Sequence, residues 1–72
     1  MSEKYYVLNS NILFKINMEN NRFYIYDVNS AEWILDFSIM DKYYDAAYDV
    51  IEITESDARN LIESIKESVK KL

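Results

Sequence analysis

A chain of 72 residues has room for one core, so we treat residues 1–72 as a single domain. It contains no cysteine and no histidine, which excludes disulfides, sites with thiolate or imidazole ligands, and most forms of nucleophilic catalysis. Its net charge of −5 argues against direct binding to nucleic acid. The amino terminus lacks the residue order of a signal peptide, and no apolar run could span a bilayer. We therefore expect a soluble protein of the reducing cytoplasm, with no contact to membranes.

Glycine and proline are both absent, whereas asparagine, isoleucine, tyrosine and lysine are common. An AT-rich genome gives this same bias, so our hypothesis is a bacterial or phage source, and the seven tyrosines do not by themselves require a function. Half of the residues are hydrophobic, which is enough for a folded core. Without glycine, asparagine is the residue best able to adopt the positive φ of tight hairpins.

The first half of the chain predicts an antiparallel meander of three strands. Three runs rich in aromatic and β-branched residues, or alternating between apolar and polar, are separated by turns that contain asparagine: residues 5–8, 12–18 and 22–26. Residues 31–37 fit two predictions. Trp33, Leu35 and Phe37 alternate as in a short fourth strand, although residues 31–40 could also form a helix; we favour the strand.

Two helices are predicted in the second half. The first runs from about residue 39 to 48, with Ser38 as its cap, and buries one face: Met40, Tyr44, Ala47 and Ile51. Residues 50–53 are predicted to be extended. The second helix begins after Thr54 and has an apolar stripe: Ala58, Leu61, Ile62, Ile65, Val69 and Leu72.

The predicted fold class is α+β. It consists of an antiparallel meander of three to four strands, a short helix and a C-terminal amphipathic helix, with the helices packed on one face of the sheet. No motif for a catalytic site, a metal site or a cofactor occurs in the sequence, and we expect a protein that is not an enzyme.

The acidic residues are concentrated in the middle of the chain. Residues 27–57 contain nine acidic residues against the single Lys42, a net charge of −8. Asp41, Asp45 and Asp49 recur every four residues, which would align them along one side of the predicted helix. Two interpretations are open: a solvated polar face, or an anionic docking strip for a basic partner. The spacing does not fit a calcium-binding loop.

The tyrosines offer a second candidate surface. If Phe23 and Ile25 point inward, Tyr24 and Tyr26 point outward on an open face of the sheet, where Tyr6 could join them. Tyr48 would lie between the apolar and acidic faces of the first helix. Exposed tyrosines suit protein recognition, although ordinary cross-strand pairing would also explain the tyrosines of the sheet.

The sequence therefore predicts a small acidic binding module that engages a protein partner through Asp41, Asp45, Asp49, Tyr48, Tyr24 and Tyr26. A different function is also open. In size and charge the chain resembles phage anti-restriction and anti-CRISPR proteins, which imitate the phosphate backbone of a nucleic acid and so inhibit the protein that binds it. A third possibility is a homodimer formed through an edge or face of the sheet.

Overall fold

Strands dominate the first half of the chain, and both helices lie in the second half. The structure is a computed structural model that describes residues 3–45 and 48–70. Its elements are β1 (Glu3–Leu8), β2 (Ile12–Asn17), β3 (Arg22–Asp27), β4 (Glu32–Leu35), α1 (Ser38–Tyr44), β5 (Val50–Ile53) and α2 (Glu55–Lys70). The α+β class, the three-stranded meander and a short strand within residues 31–37 are confirmed.

The strands form one sheet in the order β4-β3-β2-β1-β5, with every neighbouring pair antiparallel. The meander places β1 to β4 side by side, and β5 then returns to pair with the free side of β1. Our expectation of three to four strands is wrong, because the extended segment at residues 50–53 joins the sheet as a fifth strand. Strands β4 and β5 are therefore the two edges of the sheet.

The turns are made without glycine. Positive φ angles occur at Asn9 (50°), Ser10 (64°), Asn21 (56°) and Ala31 (57°). Asparagine tolerates this left-handed conformation because its short polar side chain can hydrogen-bond locally, so the predicted role of asparagine in the turns is confirmed. Ala31 has no such side chain, and its Cβ crowds the backbone.

Asp27 organises the turn that contains Ala31. Its carboxylate accepts hydrogen bonds from the backbone N–H of Asn29 at 3.3 Å and from the hydroxyl of Ser30 at 2.8 Å. Its backbone carbonyl accepts from the N–H of Ala31 at 2.8 Å. These three bonds fix the path of the chain from β3 to β4, and Ala31 adopts positive φ within it.

The two helices pack on opposite faces of the sheet, so the expectation that they share one face is wrong. Ile39 of α1 belongs to a cluster on the face we call the α1 face: Tyr6, Leu8, Phe14, Ile16, Phe23 and Ile39. Ala58 of α2 packs with Leu13 and Tyr26 on the other side, the α2 face. Several residues at the alternate positions of the meander are also apolar or aromatic, among them Val7, Leu13 and Tyr26. The sheet therefore has a second apolar face, which α2 covers.

Helix α1 ends at Tyr44, and the prediction that it continues to about residue 48 is wrong. Asp45 follows in an extended conformation, with φ −92° and ψ 116°. The predicted buried face is also wrong, since Met40, Tyr44 and Ile51 are exposed and Ala47 lies outside the described residues. Ile39 and Tyr43 face the core instead. These two residues are also four apart, so the sequence spacing alone could not distinguish the two faces.

A hydroxyl residue was predicted to cap the start of each of the two helices, and the structure confirms one of these caps. Ser38 does not cap α1; its own backbone N–H donates to the carboxylate of Asp36 at 2.9 Å. At α2 the prediction is confirmed, because the backbone N–H of Asp57 donates to Oγ1 of Thr54 at 3.0 Å. Glu55 then forms an ion pair with Arg59 one turn later, at 3.2 Å.

Helix α2 contacts the sheet through its first half. Ala58 is fully buried, and Leu61 and Ile62 pack beside it against the α2 face. The small side chain of Ala58 allows the helix to approach the sheet closely at this point. Of the other residues in the predicted stripe, Ile65 is half-buried, and Leu72 and the side chain of Val69 lie outside the described residues.

We predict that Ala31→Gly stabilises the protein. A left-handed residue with a Cβ costs about 1–2 kcal/mol, and the greater freedom of glycine in the unfolded chain offsets part of the gain. We expect the free energy of unfolding to rise by about 1 kcal/mol, which would raise the melting temperature by about 4–8 °C in a domain of this size. Urea unfolding and a thermal melt measure both quantities.

Ala58→Gly is the matched control for this substitution. Ala58 lies inside α2, where glycine is less favourable than alanine by about 1 kcal/mol. The two substitutions should change stability in opposite directions. A loss of stability in Ala31→Gly would show that the β3–β4 turn does not impose a positive φ.

Candidate functional site

The three predicted aspartates are all exposed, but they do not line one helix. Asp41 lies within α1, and Asp45 is the residue after it, with its backbone N–H donating to the carbonyl of Lys42 at 3.3 Å. Asp41 and Asp45 therefore lie about one helical turn apart. Asp49 lies beyond the end of the helix, next to β5, so the predicted alignment of all three carboxylates on one helix face is wrong.

The backbone of Asp49 is bound to the turn between β1 and β2. Its N–H donates to the side-chain oxygen of Asn9 at 3.0 Å, and its carbonyl accepts from the N–H of Asn9 at 2.7 Å. These two bonds extend the pairing of β1 with β5 by one residue. The position of Asp49 is thus fixed by the sheet rather than by α1.

The predicted row of outward tyrosines on an open sheet face is wrong. Tyr26 is buried on the α2 face, where its ring lies 5.3 Å from that of Trp33 in an edge-on arrangement. Tyr6 is buried on the opposite face, against Phe14. The prediction failed because it assumed that one face of the sheet was open, whereas each face carries a helix.

Tyr24 is half-buried in a polar and aromatic cluster on the α2 face. The ammonium group of Lys15 lies 5.7 Å from the centre of the Tyr24 ring and 4.7 Å from that of Trp33. The same group forms an ion pair with Glu3 at 3.1 Å. These contacts hold Lys15 over the aromatic rings. The role of Tyr24 in binding stays a prediction.

The two most exposed tyrosines of the described residues lie on α1 and in the segment after it. The side chain of Tyr44 is 74% exposed and that of Tyr48 is 38% exposed. Sequence reasoning missed Tyr44 as a surface residue, because we had placed it on the buried face of the helix. The pair Tyr43-Tyr44 is a signal that one ring of the two must point outward, but it does not indicate which one.

Tyr43 attaches α1 to the sheet. Its ring packs edge-on against three aromatic rings of the α1 face, with centroid distances of 5.3 Å to Tyr6, 5.7 Å to Phe23 and 6.2 Å to Phe14. The ring of Tyr44 lies 5.0 Å from that of Tyr43, at an angle of 73°. Tyr44 is therefore exposed to solvent while its ring rests against a residue that the core holds in place.

A groove of about 310 Å³ lies beside Tyr44. With the exception of one asparagine its lining is apolar or aromatic: Ile16, Met18, Asn21, Phe23, Met40, Tyr43 and Tyr44. Met18 is 47% exposed and Met40 is 37% exposed. We define the α1 surface as exposed residues that line the groove together with exposed residues of α1 and of the segment after it: Met18, Met40, Asp41, Tyr44, Asp45 and Tyr48. No sequence pattern predicted the groove, because its two sides come from β2–β3 and from α1.

Two tyrosines of β1 have altered acidity. Burial raises the pKa of Tyr6 above its ordinary value of 10.0, and its hydrogen bond with Tyr43 and the charge of Glu52 act in the same direction. Burial also raises the pKa of Tyr5, together with the nearby charges of Glu3 and Glu55. Both hydroxyl groups are therefore neutral at physiological pH.

A second depression, of about 210 Å³, lies where β1 starts and β5 ends. Its lining includes the carboxylates of Glu3, Glu52 and Glu55. Among residues 3–45 and 48–70, no group of three or more acidic side chains is placed to hold a metal ion. Over the same part of the chain, neither helix has the length and apolar character needed to cross a bilayer.

Comparison with protein-family models, with curated proteins and with solved structures finds no match to this chain. The function must therefore be argued from the exposed surfaces and their charges.

We predict that stability falls steeply above about pH 10, in part because of Tyr6. The unfolded chain releases the Tyr6 proton near pH 10, whereas the folded protein keeps it to a higher pH. Between those two pKa values the folded state loses about 1.4 kcal/mol per pH unit. Urea unfolding at several pH values between about 8 and 11 measures this slope.

Tyr6→Phe should make the alkaline slope shallower, because phenylalanine cannot ionise. Tyr5 contributes a slope of the same sign, so part of the loss should remain. Val28→Ser, a change at an exposed position that removes no titratable group, is the control and should leave the slope as it is. An unchanged slope in Tyr6→Phe would mean that the hydroxyl of Tyr6 is ionised equally in the folded and unfolded protein.

Proposed function

We propose that this protein is a non-enzymatic binding module that engages a basic protein partner through the α1 surface. One observation carries the proposal: the ring of Tyr44 is largely exposed yet held against Tyr43, beside an apolar groove. Exposed aspartates lie close to it along the chain, Asp41 on the same helix and Asp45 directly after it. The absence of cysteine fits a cytoplasmic location for such a module.

The ring of Tyr44 suits a binding hot spot. Tyrosine offers a large contact area and a polar tip, and few rotatable bonds lose freedom when it is bound. Its contact with Tyr43 orients the ring before any partner arrives. Less conformational entropy is then lost on binding than with a free side chain, which favours affinity.

The groove suits an apolar side chain of the partner. Met18 and Met40 line it and are both partly exposed. Methionine is flexible and polarisable, so its side chain adapts to ligands of different shapes. A partner that inserted an apolar residue here would cover surface that the isolated protein leaves in contact with water.

The charge of the surrounding surface selects the partner. Asp41 and Asp45 lie on or directly after α1, within a stretch of the chain whose net charge is −8. Such a field accelerates encounter with basic proteins and disfavours acidic ones. We therefore expect a partner that presents lysine or arginine around an apolar side chain.

Imitation of nucleic acid is the weaker hypothesis. Regularly spaced carboxylates would favour it, but α1 ends before Asp49, so the three aspartates do not repeat along one helix. An exposed aromatic ring and an apolar groove are features of protein recognition rather than of a phosphate backbone. The mimicry hypothesis stays a prediction from size and charge, without a structural feature that favours it.

The first test replaces the exposed ring. We expect Tyr44→Ser to abolish the capture of a partner from a lysate of the source cell, while the melting temperature stays nearly unchanged because the side chain is exposed. The captured proteins are identified by mass spectrometry and compared with those retained by the wild type. Val28→Ser removes another exposed apolar side chain, in the β3–β4 turn, and should retain the partner. Loss of the partner in both variants would contradict a specific role for Tyr44.

The second test removes charge. The triple variant Asp41→Asn, Asp45→Asn and Asp49→Asn should weaken binding of the captured partner, mainly through a slower association rate at low salt. A matched variant with the same net charge neutralises three exposed acids of α2: Asp57→Asn, Glu63→Gln and Glu67→Gln. Association rates measured at low and high salt compare the two. Equal loss in both variants would mean that only the net charge of the protein matters.

A further inference from the structure

Strand β4 is an open edge of the sheet. It pairs with β3 alone, and its other side has no neighbouring strand in the part of the chain that the structure describes. The side chains in its middle are apolar and exposed, 43% for Ile34 and 42% for Leu35. They lie on opposite faces of the sheet, since successive residues of a strand alternate.

One hydrogen bond shows which residues of β4 bond to β3 and which present their backbone groups to the open edge. The backbone N–H of Asp36 donates to the carbonyl of Phe23 at 2.9 Å. Residues of an antiparallel pair alternate between bonding to the partner strand and facing away from it. Ile34 therefore bonds to β3, while the N–H and C=O groups of Trp33 and Leu35 face away from it. The open edge presents unpaired donors and acceptors together with apolar side chains.

The other edge of the sheet, β5, has a charged residue in the middle of the strand, whereas β4 does not. In β5 the N–H of Asn9 donates to the carbonyl of Asp49. By the same alternation, the backbone N–H and C=O groups of Val50 and Glu52 point away from β1 at this edge. Glu52 places a charge within the strand, a common device against unwanted strand pairing. In β4 the charges stand only at the start of the strand and just after it, at Glu32 and Asp36.

We propose that the β4 edge accepts an extended segment of a partner protein, with apolar residues in its middle and a basic residue at each end. The apolar middle would pack beside Ile34 and Leu35, and the backbone would bond to Trp33 and Leu35. The basic ends would meet Glu32 and Asp36. The carboxylate of Asp36 also accepts hydrogen bonds from Ser38, and these leave its negative charge in place.

Charge complementarity favours this occupant over a second copy of the chain that pairs in the register centred on Ile34. Two antiparallel β4 edges related by a two-fold axis at Ile34 would satisfy the same backbone groups. That arrangement sets Glu32 of each copy opposite Asp36 of the other. Like charges directly opposite each other on paired strands are destabilising. A partner segment with basic ends replaces both repulsions with attractions.

The proposal goes beyond binding at the α1 surface, because it uses different residues and main-chain hydrogen bonds. It can be tested with a defined probe, the blocked peptide acetyl-Lys-Val-Ile-Val-Lys-amide. Trp33 is the only tryptophan of the chain and lies in β4, so its fluorescence reports directly on this edge. Amide hydrogen exchange of Trp33 and Leu35 reports on the new backbone bonds.

We expect the peptide to change the emission of Trp33 in a saturable way and to slow the exchange of the Trp33 and Leu35 amides at least tenfold. The same peptide with glutamate in place of both lysines should have no effect. Glu32→Gln should weaken binding about two- to fivefold, as expected for one exposed ion pair. Glu63→Gln, an equivalent change on α2, should have no effect. Equal binding of the acidic and basic peptides would overturn the proposal.

Leu35→Pro tests the edge itself. It removes an outward N–H without removing a bond to β3, and proline is tolerated at such edge positions. It should abolish peptide binding. Leu35→Lys keeps the N–H but adds a cation in the middle of the strand, and it should weaken binding at least tenfold even if the proline variant fails to fold.

Two further outcomes separate the hypotheses. Tyr44→Ser should bind the peptide as the wild type does, so failure of the α1 surface as a docking site would leave the edge proposal intact. Amides of Trp33 and Leu35 that are already protected without peptide, in a protein that sediments as a dimer, would show a second copy on β4. That result would overturn the proposal of a basic partner.

Discussion

The contact of the Tyr43 ring with the aromatic residues of the sheet determines which side chains of α1 are exposed. α1 has only seven residues, too few to be stable as an isolated helix, so its position depends on what it packs against. Tyr43 and Ile39 provide that packing. Once they face the sheet, Met40 and Tyr44 must face solvent, since they lie one residue further around the helix. The exposed ring and the groove beside it are therefore consequences of how α1 is held.

A sheet with two apolar faces is a practical solution for so short a chain. A domain of this size buries only about 60% of the surface that its unfolded chain exposes, so a single interface between helix and sheet would give a small core. Here β1 and β2 contribute to both sides, with Phe14 central to one cluster and Leu13 to the other. The absence of glycine adds local cost at Ala31. Packing on both faces offsets such costs.

Local signals predicted the strands, the asparagine turns and α2, because each depends on residues close together in sequence. Thr54 caps α2 through a bond to a residue three positions away. The predictions that failed depend on contacts between residues far apart in sequence. The sheet was expected to have an open face with outward tyrosines, whereas Tyr26 is buried on that face under α2 and Lys15 is held over Trp33 there by a cation–π contact. Tyr44 points outward because Tyr43 packs against aromatic residues of three strands. No spacing within α1 predicts these contacts.

Both proposed surfaces combine exposed apolar groups with carboxylates, and the carboxylates of both lie in the acidic middle of the chain. Exposed apolar edges and grooves favour aggregation when nothing opposes it. In these proposals Glu32 and Asp36 oppose the pairing of two β4 edges about Ile34, and Asp41 adds negative charge on α1. In both proposals, the charges that oppose self-association are the ones that attract a basic partner. A single feature of composition, the net charge of −8 over residues 27–57, would then favour a basic ligand over a second copy of the chain.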